Sequence, residues 1–370
     1  MSVAPSALRS AFVLLVLCAC AGPDDGTQPS GIGGSADSGG MSAGAGGVGG
    51  QPSTGGSGTP ASGGIGGTTA SGGSGGISPS GGVGGQGGEP ASDAGALPAD
   101  AGALDAATSE PILLPPISDP AMTGPFGVAR IDRVSGLATH SLFVPDDVAL
   151  HGKHLVVVWT NGNGGTIDTL SYASFLEHVA SHGFFVIADK ASNGTREAEV
   201  ESQAAAIDWA LAENGNSGGD YFERLDVERI AVMGDSLGSL ASFATASNEH
   251  VRTSVHFSGG ITDNPVGFDP MWLQQMKRPA AFLCGGNDTT AGPSCEKDFA
   301  MAPVPVFYGV LAGASHIGPF ISARGGEYGR AGVAWLRWQL ASDLEFQTWF
   351  VGADCTLCAS PWSAMQRDLE

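Results

Sequence analysis

Basic side chains are scarce in this sequence. Its 370 residues include 16 Lys and Arg against 37 Asp and Glu, a formal net charge of −21 at pH 7. A surface with this balance repels the phosphates of a nucleic acid, whose binding depends on Lys and Arg. We therefore expect no nucleic-acid partner, whereas a neutral substrate is compatible with the charge.

The start of the chain lacks an apolar run long enough to cross a bilayer. The run AFVLLVLCAC at 11–20 is about half as long as a transmembrane helix and follows a single Arg, a pattern typical of an export signal. Its end resembles a bacterial lipobox with Cys20 as the lipidated residue. Cys18 fits less well, because bulky Leu17 would precede the cleavage point. A signal peptide over 1–20 predicts a lipoprotein anchored to a membrane outside the cytoplasm; the alternative is ordinary cleavage and a secreted protein.

Aromatic side chains are absent from residues 21–118. This segment holds more than half of the chain's 59 Gly, together with many Ser, Thr, Pro and Ala. Such a composition cannot bury enough apolar surface to offset the entropy that is lost on ordering. We predict a disordered, flexible linker, whose roughly 100 residues would have a root-mean-square reach of about 50–60 Å.

Residues 119–370 contain nearly all the aromatic side chains and have a suitable length for one α/β domain. Apolar runs typical of buried strands alternate with helical patterns along this region. The predicted strands are 140–145, 154–160, 184–189, 229–233, 253–260, 280–286 and 305–311. The predicted helices are 169–183, 197–214, 239–247 and 329–341. This alternation predicts a doubly wound, mostly parallel sheet with helices on both faces.

Cysteine is also rare, with four residues after the export signal: Cys284, Cys295, Cys355 and Cys358. An even number in an exported protein favours two disulfides. Pairing of neighbours gives Cys284–Cys295 and Cys355–Cys358, although three connectivities are possible. The Cys-x-x-Cys spacing at 355–358 also occurs in redox and metal sites, but no further Cys and His set lies nearby. We expect no metal.

The pattern Gly-x-Ser-x-Gly occurs four times, centred on Ser42, Ser74, Ser217 and Ser236. The first two lie in the predicted linker and Ser217 in a Gly/Asn loop, where nothing would fix a hydroxyl. Ser236 directly follows a buried strand and opens a helix, as in a nucleophile elbow, where flanking glycines permit the tight turn. The helix N-terminus also directs N–H groups toward developing negative charge. We predict Ser236 as a nucleophile; the alternative is a phosphate-binding or structural turn.

A serine hydroxyl needs a base, usually His, because it is a poor nucleophile at neutral pH. In this type of fold the base comes last along the chain, after the serine and an acid. His316 lies in the small-residue loop after the last predicted parallel strand, where the base is expected. His250 lies in a helix-to-strand connection, and His256 lies in an apolar strand, where a packed core His is the better interpretation.

The acid that orients the base should follow a strand between Ser236 and His316. Asp288 follows the strand at 280–286 and is our prediction. Asp263 and Asp269, after the preceding strand, are the alternatives, and Asp298 lies further along. A Cys284–Cys295 disulfide would close the loop that carries Asp288.

An oxyanion hole requires two backbone N–H groups that face the same point. The first is predicted at Leu237, directly after the nucleophile. The second is predicted at Asn163, in the loop TNGNGG after the first central strand, with Gly162 as the alternative. The competing interpretation of this loop is a flexible Gly-rich turn.

From about 120 to 345 the domain resembles the bacterial cutinase and polyethylene terephthalate hydrolase group of α/β-hydrolases, close to the dienelactone-hydrolase-like esterases. The matching stretches are VASHGFFVIAD, RIAVMGDSLG, GGNDTTAG, GASHIGP and AGVAWLRWQLASD. The resemblance implies an α/β-hydrolase fold without a large cap domain. It also implies a serine carboxylic ester hydrolase with the triad Ser236, Asp288 and His316, an oxyanion hole at Asn163 and Leu237, and no cofactor.

The sequence departs from that group at four points. Asp235 stands before the nucleophile where relatives usually have His, and Asn163 stands where they have an aromatic residue. Their substrate-clamping Trp has no match in HFSGGITDN, and their C-terminal cysteines are far apart, unlike Cys355 and Cys358. If Asp235 lies close to His316, it can raise the imidazole pKa.

We therefore expect a monomeric serine esterase that acts on a small ester or a polyester through an acyl-enzyme. A hydrolase of another acyl bond, in a lipid, a lactone or a peptide, is the first alternative. A surface lipoprotein that keeps the fold for binding alone is the second, because the substrate-site residues of the resembling group are substituted.

Overall fold

The computed structural model describes residues 114–146, 152–170, 172–264 and 267–370. The predicted signal peptide with Cys20, residues 21–113 of the predicted linker, and the serines at 42 and 74 lie outside the described residues. Those interpretations stay predictions. In the part of the chain that is described, no helix is both long and apolar enough to cross a membrane.

Nine strands in the described ranges form a single sheet in the order β1-β2-β4-β3-β5-β6-β7-β8-β9. Neighbouring strands from β4 through β8 pair in parallel, whereas β1, β2 and β9 pair antiparallel at the two edges. The strands are Val128–Ile131, His140–Pro145, His154–Thr160, Phe184–Asp189, Leu225–Asp235, Val251–Phe257, Ala280–Gly285, Val306–Leu311 and Trp362–Arg367, numbered β1 to β9 in chain order. The prediction of a mostly parallel sheet is confirmed.

Six α-helices connect and cover these strands within the described residues. They are Tyr172–Ser181, Arg196–Gly215, Leu237–Thr245, Met271–Gln275, Gly292–Met301 and Gly326–Gln339, numbered α1 to α6. Four short 3₁₀ helices supplement them at Gly318–Ile321, Ala323–Gly325, Leu344–Trp349 and Thr356–Cys358. Only the five-residue α4 lies between β6 and β7, so the described chain contains no large cap there.

The core lies in two apolar clusters, one on each face of the sheet. Side chains alternate along a strand, so Val157 of β3 joins α1 and α6 on one face, while Val156 and Val158 join α2 and α3 on the other. All seven residues of β3 are buried. This explains its continuous apolar sequence, since a strand that is covered on both faces has no polar side.

Two disulfides connect the cysteines of the domain as neighbours. Cys284 at the end of β7 is bonded to Cys295 in α5, and Cys355 is bonded to Cys358 before β9. The first bond closes the segment that contains Asp288. It thereby ties a site loop to two elements of the core.

Candidate active site

Ser236 lies on a sharp turn between β5 and α3. Its backbone has φ 52° and ψ −111°, a strained conformation for a residue with a side chain. A Cβ on Gly238 would lie 2.0 Å from the carbonyl oxygen of Thr160, and one on Gly234 would lie 2.2 Å from the Gly238 carbonyl carbon. Both flanking positions therefore require glycine, and the turn that they permit presents the half-buried Ser236 at the carboxyl ends of the strands.

His316 and Asp288 follow β8 and β7, whose carboxyl ends lie at the same edge of the sheet as that of β5. His316 Nε2 lies 2.8 Å from Ser236 Oγ, and His316 Nδ1 lies 2.8 Å from Asp288 Oδ2. The three side chains that the sequence singled out are thus joined by two hydrogen bonds. They come from positions 80 and 28 residues apart along the chain.

The Asp288 carboxylate is fully shielded from solvent and fixed by its own loop. Its Oδ1 accepts hydrogen bonds from the backbone N–H groups of Thr290 at 2.9 Å and Ala291 at 3.0 Å. Burial raises its pKa, but the hydrogen bond from His316 and those from Ala291 and Thr290 outweigh burial and hold the pKa below its ordinary value. Asp288 is therefore ionised at neutral pH and keeps the proton of His316 on Nδ1.

The His316 imidazole is a quarter exposed, at 25% of its side-chain surface, so one ring edge is open to an incoming molecule. Burial lowers its pKa, but the hydrogen bond and charge of Asp288, together with the charge of Asp235, outweigh burial. The net result is a pKa above the ordinary value. His316 is consequently a stronger base than a free imidazole.

The alternative bases lie away from Ser236. His256 is fully buried in β6, where its ring stacks on Phe243 with centroids 3.8 Å apart. Burial lowers its pKa to about 3. His250 lies 3.0 Å from the Val227 carbonyl oxygen at the opposite end of the sheet. Neither imidazole is placed to remove a proton from Ser236.

The alternative acids and the other Gly-x-Ser-x-Gly match also lie elsewhere. Asp263 is exposed and paired with Lys297 at 2.7 Å, and Asp269 accepts the backbone N–H of Met271. Asp298 is buried but accepts backbone N–H groups of the β6–α4 connection. Ser217 lies in an exposed turn after α2. None of them contacts His316 in the described structure.

The two positions predicted for an oxyanion hole come after the ends of β5 and β3, which pair as neighbouring parallel strands. Leu237 is the first residue of α3, and Asn163 lies in an exposed turn after β3. Neither backbone N–H has an acceptor among the described residues. The alternative donor, Gly162, is buried against the Tyr172 hydroxyl, since a Cβ on it would lie 3.1 Å from that oxygen.

Asp235 has a partner that the sequence did not reveal. The Tyr172 hydroxyl donates a 2.5 Å hydrogen bond to Asp235 Oδ2 across 63 residues of sequence. Asp235 is buried, and burial raises its pKa to about 7, although Tyr172 and His316 oppose the rise. No spacing or motif connects the two residues, so only the folded chain shows the pair.

A second polar cluster holds the start of the loop that contains Asn163. The Asn161 backbone N–H donates to Asp189 Oδ1 at 2.9 Å, and the Asn161 side-chain amide donates to the Asp189 carbonyl at 2.8 Å. Trp159 completes the cluster by donating its indole N–H to Asn161 Oδ1. These bonds fix the chain where β3 enters the loop.

Among the residues that the structure describes, no group of three or more His, Cys, Asp or Glu residues is arranged to hold a metal ion.

Comparison with known proteins identifies a family for this chain. Residues 117–367 match the PETase family, described as PET hydrolase-like. The chain belongs to this family. It is therefore an α/β-hydrolase, as the resembling stretches predicted, and a carboxylic ester hydrolase of the serine hydrolase class.

Three curated relatives of this PET hydrolase-like chain are named as cutinases. Cutinase est2 of Thermobifida alba is 25% identical over 261 residues, which cover 68% of this chain and 79% of that protein. Cutinase est1 of Thermobifida alba is 24% identical over 260 residues, 68% and 80% of the two chains. Cutinase 1 of Thermobifida cellulosilytica is 25% identical over 259 residues, 68% and 90% of the two chains.

Proposed function

We propose that this PET hydrolase-like enzyme cleaves carboxylic esters with Ser236 as nucleophile, His316 as base and Asp288 as orienting acid. The observation that carries the proposal is the unbroken pair of 2.8 Å hydrogen bonds from Ser236 to His316 and from His316 to Asp288. The strained φ of Ser236 supports it, because the turn holds the hydroxyl toward the imidazole.

Acylation begins when Ser236 Oγ attacks the ester carbonyl carbon. His316 Nε2 takes the hydroxyl proton as the C–O bond forms, and the ionised Asp288 stabilises the resulting imidazolium through Nδ1. The tetrahedral intermediate then collapses and the bond to the leaving oxygen breaks. His316 donates its proton to that oxygen, the alcohol departs, and an acyl group remains on Ser236.

Deacylation repeats these steps with water as the nucleophile. His316 removes a proton from a water molecule that attacks the acyl carbon, and it returns the proton to Ser236 Oγ as the carboxylic acid leaves. No cofactor takes part in this scheme. Its proton transfers need only a base that is neutral at the start of each half-reaction.

The oxyanion of both tetrahedral intermediates is assigned to the backbone N–H groups of Leu237 and Asn163. Leu237 supplies a free N–H at the first turn of a helix, where the dipole also favours negative charge. Asn163 is favoured over Gly162, because Asn163 lies in an exposed turn, whereas Gly162 is buried against Tyr172 and Asp235. The hydrogen bonds around Asn161 hold the loop in place before the reaction starts.

The substrate is proposed to be an apolar ester, either small or part of a polyester chain. Ile317, directly after His316, and Ile321, at the end of the following 3₁₀ helix, are both exposed, and no large cap covers this face in the described chain. An open apolar surface suits an extended substrate better than a closed pocket does. The names of the cutinase relatives are consistent with this substrate class.

The site is further proposed to act outside the cytoplasm, at the end of the linker. The predicted lipid on Cys20 would hold the enzyme to a membrane, and the two disulfides suit an oxidising compartment. We expect the full chain to partition into detergent and a Cys20→Ala variant to be recovered in the aqueous phase. Equal partitioning of the two proteins would contradict the anchor.

The catalytic assignment is tested with a short-chain nitrophenyl ester. Ser236→Ala should reduce kcat to the background rate, because no other hydroxyl of the described residues is hydrogen-bonded to His316. Ser217→Ala is the matched control, since Ser217 has the same flanking pattern but lies in an exposed turn. It should keep the activity of the natural chain. Equal activity of the natural chain and Ser236→Ala would remove Ser236 from this role.

A further inference from the structure

Asp235 is an unusual neighbour for a nucleophile, because it is a buried carboxyl with one oxygen unpaired. Its Oδ2 accepts the short hydrogen bond from Tyr172, while Oδ1 is buried with no hydrogen-bond partner among the described residues. An unpaired buried oxygen costs free energy. A core that required only packing would have an apolar residue at this position.

The Tyr172 hydroxyl joins Asp235 to the loop that follows β3. It donates to Asp235 and lies close to Gly162, the residue before Asn163. A Cβ on Gly162 would lie 3.1 Å from the Tyr172 hydroxyl and 3.2 Å from Asp235 Oδ2. The loop thus lies so close to Asp235 and Tyr172 that a side chain at position 162 would crowd both of them.

We propose that Asp235 and Tyr172 form a positioning pair, which holds the Gly162–Asn163 segment in place for the oxyanion. The proposal rests on the function proposed above and assigns two residues to that same site. Asp235 acts on His316 through its charge, and it acts on the loop through Tyr172. Neither side chain is proposed to touch the substrate.

The charged and titratable groups around this pair come from several elements. They are Tyr172 of α1, His316 and Asp288 from the loops after β8 and β7, Tyr328 of α6, and Asp189 of β4. The hydrogen bond from Tyr172 and the charge of His316 favour ionised Asp235, whereas burial and Asp288 favour the neutral form. The opposing influences place the pKa of Asp235 at about 7.

Ionisation of Asp235 has two consequences for the site. The negative charge raises the pKa of His316, so the imidazole and Asp235 titrate as a coupled system. The hydrogen bond from Tyr172 also becomes charge-assisted, which is the stronger type, and holds the hydroxyl at Gly162 more firmly. The acidic limb of the pH–rate profile should therefore depend on Asp235 as well as on His316.

The test measures kcat and KM for a nitrophenyl ester across pH 5–9 in Asp235→Asn and Tyr172→Phe. Asp235→Asn should move the acidic limb of kcat/KM to lower pH, because loss of the negative charge lowers the pKa of His316. Tyr172→Phe should move it in the same direction, because Asp235 loses the donor that favours its ionised form. It should also lower kcat roughly tenfold with little change in KM, a smaller loss than removal of an oxyanion donor.

Two controls use the same substitutions at positions away from the site. The first control is Asp226→Asn, because Asp226 lies at the other end of β5 and pairs with Arg229. The second is Tyr221→Phe, because Tyr221 lies in the connection from α2 to β5. Both should leave the pH profile in place even where they lower the melting temperature. A loss of stability alone therefore does not reproduce the predicted shift.

The outcomes separate this inference from the proposed function. If Asp235→Asn and Tyr172→Phe give the pH profile and kcat of the natural chain, the positioning pair is wrong while the triad stands. If Asp235→Asn does not fold, Tyr172→Phe decides alone, because the same shift is required of it. If the natural chain does not hydrolyse the ester, or Ser236→Ala hydrolyses it equally well, the proposed function itself is overturned.

Discussion

Asp288 Oδ2 lies 2.8 Å from His316 Nδ1, and its second oxygen accepts two backbone N–H groups of its own loop. The loop therefore orients the carboxylate independently of its hydrogen bond with His316. The arrangement also fixes the tautomer of the imidazole, since a proton on Nδ1 leaves Nε2 free to accept one from Ser236. The contact between these two side chains thus determines which nitrogen acts as the base.

Replacement of Asp288 by Asn should lower kcat roughly 10³–10⁴-fold, because the amide favours the wrong tautomer of His316. The protein should fold, as Asn preserves the shape of the side chain. Asp263→Asn is the control, because Asp263 is the acid that the sequence offered as an alternative and is exposed beside Lys297. An equal loss of kcat in the two variants would contradict the assignment of Asp288.

The roles of the Asn163 backbone N–H and the Asn163 side chain can be tested separately. Asn163→Pro deletes the N–H and should lower kcat roughly 10²–10³-fold, the typical effect of losing one oxyanion donor. Asn163→Ala keeps the N–H and should stay within about threefold of the natural chain on the same reasoning. If both variants lose the same activity, the side chain rather than the backbone of Asn163 is responsible.

The Cys284–Cys295 disulfide should matter for activity, because Asp288 lies inside the segment that it closes. Replacement of both cysteines by Ala should lower the free energy of unfolding by about 2–3 kcal/mol, by chain-entropy reasoning. The kcat should fall as the loop loosens. The Cys355–Cys358 disulfide closes a shorter segment before β9. Replacement of these two cysteines by Ala should therefore cost less stability and leave kcat unchanged. Equal losses of kcat would show that neither bond acts through Asp288.

Stability should depend on pH through Asp235. Its pKa is about 7 in the folded protein, against about 3.9 for an unfolded chain, so the folded state binds more protons between these values. The contribution of Asp235 to stability is therefore present at low pH and is lost as pH rises from about 4 to about 7. The melting temperature of Asp235→Asn relative to the natural chain should rise over that window. A constant difference would mean that Asp235 is ionised throughout.

The central part of the fold was predictable from the sequence for a simple physical reason. Strands that are covered on both faces contain uninterrupted apolar runs, and β2, β3 and β4 have the bounds that those runs predicted. The side chains at the site were predictable because Ser236, Asp288 and His316 each follow such a run. Carboxyl ends of parallel strands share one edge of the sheet, so order along the chain was enough to bring them together.

The edges of the sheet and the pairings across it were not predictable. The edge strands β1 and β9 contain exposed or half-exposed residues along much of their length, so they have no continuous apolar signal. The short helices α4 and α5 were missed because few of their residues are buried. Tyr172 was assigned only to an amphipathic helix, since its contact with Asp235 depends on how α1 packs against the end of β5.

Covalent labelling with a fluorophosphonate tests the central claim most directly, because the probe reacts only with a serine that a neighbouring base activates. We expect one probe molecule per chain, bound to the peptide that contains Ser236. Labelling should disappear in Ser236→Ala, weaken strongly in Asp288→Asn, and persist in Ser217→Ala. Labelling of Ser217, or undiminished labelling of Ser236→Ala, would contradict the account.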